Sequence, residues 1–156
     1  MIAHIIKSSF SRSFRAGVCA LVLSLSTPLM AQNIPSEEAQ EAVIKSSLMT
    51  FNDANLSGNY SVLNALGSKP FRESLSADKL KDAFKGFRDK EIDLSAIVLA
   101  EPKSTKPTKI DSDGVMYTEG YFDTPKMRVN YSLKHLLSDG KWKLLGITVR
   151  TEDPVK

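Results

Sequence analysis

Apolar positions recur three and four residues apart in the first half of the chain. In the last third they recur at every second position. Ile44, Leu48 and Phe51, with Val43 alongside, mark one face of a helix that opens at Pro35 and Ser36 and runs to about Asn55. Ser36 is a good N-cap, and Glu37 and Glu38 suit the positive end of the helix dipole. "SGN" ends this helix. Val62, Leu63 and Leu66 predict a second, shorter helix over 60–66, which "GSKP" breaks. A third helix is predicted from Ser76, with Leu75 and Leu80 as a hydrophobic staple and Leu80, Phe84 and Phe87 on one face; Gly86 and "RDKE" mark its end.

Beyond residue 92 the period becomes that of strands. Residues 94–100 are expected as a first strand. The stretch "EPKSTKPTKIDSDG" reads as a polar connection or a protected edge strand, its prolines and spaced lysines discouraging further pairing. Three strands follow, at 115–122, 127–136 and 142–149, separated by "DTPK" and "SDGK". Asp139-Gly140 is a strong two-residue hairpin signal. The expected fold is α+β: three N-terminal helices packed on a curved antiparallel sheet of four to five strands.

A hairpin fixes register, and register fixes faces. A two-residue loop at Asp139-Gly140 sets His135 opposite Leu144, Leu133 opposite Gly146, and Tyr131 opposite Thr148. A loop at Thr124-Pro125 sets Thr118 opposite Tyr131. One face then collects Thr118, Gly120, Phe122, Val129, Tyr131, Leu133, His135, Trp142, Leu144, Gly146 and Thr148, and should receive the helices. The other face carries Tyr117, Tyr121 and Leu136, with an apolar stripe of Leu145, Ile147 and Val149. An exposed stripe of that kind marks a contact surface, so these six residues are the expected interface of a homodimer or of an envelope partner.

The N-terminus alters the charge picture. Lys7, Arg12 and Arg15 precede a short apolar run, and "STPLMA" ends in a small residue at Ala31. That is the layout of a secretory signal peptide over 1–31, with a single domain over 32–156 and an expected periplasmic destination, secretion from a eukaryotic cell being the alternative. Removing 31 of 156 residues leaves 125, with 18 basic against 18 acidic side chains. A net charge near zero gives no electrostatic case for nucleic acid, and no membrane span is expected once the leader is cleaved. The one cysteine, Cys19, lies in the leader, so no disulfide, thiolate nucleophile or cysteine metal ligand is expected.

Three helices followed by a curved sheet ending in "SDGKWKLLGITV" resemble the nuclear transport factor 2-like superfamily. The stretch "YTEGYFDTPKMRVNYSLKHLLSDGKWKLLGITV" is the most similar part. The resemblance implies a cone-shaped, cystatin-like α+β fold that can enclose a pocket, with dimers often formed by the outer sheet face. It implies no single activity.

Proton-transfer chemistry in such a cone needs a base and an oxyanion donor. The inner strand face has no carboxylate, and His135 is the only histidine outside the leader. Asp53 and Asp82 are the helix carboxylates within possible reach. No phosphate loop, nucleophile elbow or metal-ligand set occurs, so no catalytic residue, metal or cofactor is assigned and the reading leans away from an enzyme. Thr118, Tyr131 and Thr148 should form a row of hydroxyls across three strands, with His135 beyond them. These four are the candidate ligand-binding residues. The preferred reading is a non-catalytic exported domain acting through its outer face. The alternative is a pocket protein for a small apolar molecule, which requires that Leu48, Phe51, Phe84 and Phe87 leave the cone unfilled.

Overall fold

The computed structural model describes residues 33–154. The leader expected over 1–31 lies outside the described residues. Among the described residues, five α-helices and a 3₁₀ turn precede a four-stranded antiparallel sheet whose neighbouring strands follow chain order. No helix among the described residues is long and apolar enough to cross a membrane.

Helix α1 (Glu37–Ser57) begins where its cap predicts. The Ser36 hydroxyl accepts from the Ala39 amide, and Gly58 closes the far end in the left-handed region. Helix α2 (Ser61–Leu66) also matches expectation. The "GSKP" break is shorter than the sequence suggests. Ser68 caps a new helix, α3 (Lys69–Ser74), and Pro70 is tolerated because it sits in the first turn, where no backbone donor is needed. The predicted third helix is two: α4 (Ala77–Ala83), capped by Ser76, and α5 (Lys85–Asp89).

The strand expected over 94–100 is instead a 3₁₀ turn, Ser95–Leu99. The Asn52 side chain accepts from the Leu94 amide at 2.8 Å, and Asp93 accepts from the Ser95 amide at 2.8 Å. These local bonds compete with strand formation. Leu94 and Ile97, three apart, are buried, while Leu99 is 93% exposed. That is the three-residue period of a 3₁₀ turn rather than strand alternation. The polar connection supplies the fourth strand in its place: β1 (Lys103–Ile110) is an edge strand, interrupted by register shifts and carrying Pro107.

Strands β2 (Val115–Asp123), β3 (Arg128–Ser138) and β4 (Lys141–Glu152) form the rest of the sheet. Between β2 and β3 the loop is longer than expected. Phe122 pairs with Val129, Gly120 with Tyr131, Thr118 with Leu133 and Met116 with His135. The slip is two residues, so every side chain keeps its predicted face. Between β3 and β4 the hairpin starts as predicted, with Leu137 opposite Trp142 and His135 opposite Leu144. A bulge then shifts the register, so that Lys134 meets Gly146, Leu133 meets Ile147 and Tyr131 meets Val149. A one-residue shift reverses faces.

The predicted outer stripe is therefore corrected. Val149 is 7% exposed and belongs to the core, and Ile147 packs against it. Thr148 points outward and is exposed. Gly146 also faces outward, beside Lys134, and leaves no inner gap for a ligand. Of the six predicted interface residues, Tyr117, Tyr121 and Leu136 remain on the outer face, and Leu145 is the extra residue of the bulge.

The core joins Ile44, Leu48 and Phe51 of α1 to Leu63, Phe71 and Leu80, and to Phe122, Val129, Tyr131, Leu133, Leu144 and Val149 of the sheet. The Phe51 ring meets Phe84 at 4.7 Å and Phe87 at 5.2 Å, both edge-on. These aromatics fill the space that an internal apolar pocket would need at that end of the sheet.

Candidate functional site

Three of the four predicted ligand-binding residues lie together on the inner face of β2 and β3. Thr118, Tyr131 and His135 are 3%, 4% and 0% exposed. The fourth, Thr148, is turned outward by the bulge, so the predicted row of hydroxyls does not form. Gly120 lets the Tyr131 ring lie across β2. A Cβ there would meet the Lys103 carbonyl at 2.4 Å and the Tyr131 hydroxyl at 2.6 Å.

Each of the three carries a buried polar atom with no hydrogen-bond partner among the described residues: Thr118 Oγ1, Tyr131 Oη and His135 Nδ1. Leaving one such group unsatisfied costs about 1–3 kcal/mol. Burial also sets their protonation. Desolvation pushes the Tyr131 phenol up to about 12 and the His135 imidazole down to about 4. Both groups are neutral near pH 7.

The other nitrogen of His135 is engaged. Nε2 lies 2.9 Å from Ser47 Oγ of α1. The Ser47 hydroxyl donates to the Val43 carbonyl at 2.9 Å. With its proton used there, Ser47 accepts from Nε2–H, and Nδ1 is left as a bare acceptor. A serine and a histidine in contact suggest a nucleophile and base. Here, no carboxylate orients the imidazole among the described residues, and so desolvated a histidine is a weak base at neutral pH. The pair is suited to holding a hydrogen bond, not to driving acyl transfer.

Ser47 has a second role. It lines a cleft of about 480 Å³ between α1, α2 and the β3–β4 hairpin. Leu63, Ala65 and Leu66 of α2 form one wall, and Trp142 and Leu144 of β4 form another. Ser46, Ser47 and Thr50 give the α1 side a row of hydroxyls. Trp142, expected in the core, is half-buried at this wall, and Leu66 is 59% exposed. At the rim Asp139 pairs with Lys143 at 2.7 Å, a bond that holds its carboxyl below the usual range. Lys141 makes no ion pair among the described residues. The cleft is therefore apolar on two sides, hydroxyl-lined on the third and positively charged at the mouth. Its size falls within the usual range for small-molecule sites.

Sequence reasoning missed Ser47 and the α1 side of this cleft. The signal was present, because Ser47 stands three residues after Ile44 and four before Phe51, at the edge of the buried helix face. Ser68 was missed too; its amide donates to the Leu144 carbonyl at 2.8 Å, tying the α2–α3 junction to β4 and fixing the cleft floor. No protein-family model, curated protein or solved structure matches the chain.

Proposed function

We propose that the chain is an exported α+β domain of the nuclear transport factor 2-like kind that binds a small amphipathic molecule in the cleft beside the β3–β4 hairpin. The apolar body of the ligand lies between Leu66 and Trp142. Its polar or anionic head meets Lys141 and the Ser46 hydroxyl, since the Ser47 and Thr50 hydroxyls already donate to backbone carbonyls. The observation that carries this reading is the double engagement of Ser47, which is both a cleft wall and the hydrogen-bond partner of buried His135. The long α1 packed across a four-stranded antiparallel sheet supports the family resemblance. Association through the outer face has less support, because Ile147 and Val149 are withdrawn from it.

Native mass spectrometry of the protein isolated from its own host tests this reading. The expected result is a small added mass that is lost on Leu66→Asp, a substitution at an exposed position that should leave the fold intact. Bare protein mass, or an adduct indifferent to Leu66→Asp, would count against it.

A further inference from the structure

The outer sheet face carries an arrangement unrelated to the cleft. Asn130 pairs with Arg150 across β3 and β4, and Ser132 pairs with Thr148. These four side chains share the outward face and border a shallow hollow of about 300 Å³. The bulge at Leu145 creates the grouping, since without it Thr148 and Arg150 would point into the core.

Three features give the hollow one chemical sense. First, Asn130 Nδ2 is buried and has no acceptor among the described residues. Secondly, Arg150 pairs with no carboxylate among the described residues, whereas its acidic neighbours are engaged or stand opposite another cation. Glu119 is held by Lys106 at 2.7 Å. Asp123 is held by Arg128 at 2.7 Å and by Lys103 at 3.0 Å. Glu152 stands opposite Arg128. Thirdly, Ser132 and Thr148 add two hydroxyl donors from adjacent positions. A guanidinium, an amide and two hydroxyls border one shallow hollow, with no carboxylate among its lining residues.

We propose that this hollow is an oxyanion site that takes a single carboxylate or phosphate group. Arg150 supplies the charge and a planar pair of donors. Asn130 supplies the donor that otherwise has no partner.

The test is ¹H–¹⁵N correlation spectroscopy of the purified protein, titrated separately with inorganic phosphate and with acetate. The Asn130 side-chain amide and the Arg150 Nε–H signals should move together and saturate in at least one titration. Saturation with phosphate alone assigns a phosphate ligand, and saturation with acetate alone a carboxylate. Arg150→Gln should weaken the saturating titration about tenfold, and Thr148→Val should also weaken it. Lys134→Gln, on the same face but outside the hollow, should leave it unchanged. Shifts that saturate with neither anion, or that are equal in Arg150→Gln, would overturn the proposal. The unchanged amide spectrum of each variant reports that it is folded.

Discussion

His135 is kept neutral by burial, and this couples its protonation to folding. Its pKa falls from an ordinary 6.5 to about 4 in the native state. The unfolded chain takes up a proton as pH drops below 6.5, while the folded chain does so only near 4. Stability is therefore full above 6.5 and is lost progressively as pH falls through that window. The loss should amount to about 3 kcal/mol. Denaturant unfolding at a series of pH values checks it, and His135→Gln should flatten the dependence. Two glycines offer a second test at the same scale. Gly120→Ala drives a methyl into the Lys103 carbonyl and should cost about 2–3 kcal/mol. At Gly146 the nearest atom lies 3.5 Å away, in the flexible Lys134 side chain. Gly146→Ala should be neutral or stabilising by about 0.5–1 kcal/mol in the same assay. The inward placement of Thr118, Tyr131 and His135 was legible because alternation along β2 and β3 alone decides which way they point. The space around Gly120 was not, because it depends on how the ring of Tyr131, its partner on the adjacent strand, lies down.

Alternation made β2, β3 and the start of β4 readable, and caps made α1 and α4 readable. The bulge was not readable. "KLLGITV" carries apolar side chains in both alternations, Leu144 in one and Leu145, Ile147 and Val149 in the other, and packing against the helices brings Leu144, Ile147 and Val149 to one face. The same weakness affected residues 94–100, an apolar run too short for periodicity to settle, whose fate is decided by backbone hydrogen bonds donated to the Asn52 and Asp93 side chains. The bulged register makes a sharp prediction for neighbouring positions. Val149→Asp buries an unpaired carboxylate and should cost about 3 kcal/mol or more. Thr148→Asp should change stability by no more than about 0.5–1 kcal/mol. Thermal or denaturant unfolding of the two variants checks both. The reverse ranking would restore the unbulged strand and the apolar outer stripe with it.

At the scale of the molecule, the aromatic cluster of Phe51, Phe84 and Phe87 closes one end of the helix–sheet interior, while the hairpin end stays open as a cleft. The expected choice between a filled cone and a pocket thus has a divided answer. The centre is packed, and space for a ligand remains beside Trp142. That tryptophan is the only one in the chain, so its emission reports on the cleft without labelling. The most direct test is a fluorescence titration of the protein with a medium-chain fatty acid, which has the apolar body and anionic head that the walls and Lys141 call for. A saturable blue shift with Kd on the order of micromolar, abolished by Leu66→Asp, is the predicted result. A response that never saturates, or that is unchanged in Leu66→Asp, would contradict the cleft as a binding site for such a molecule.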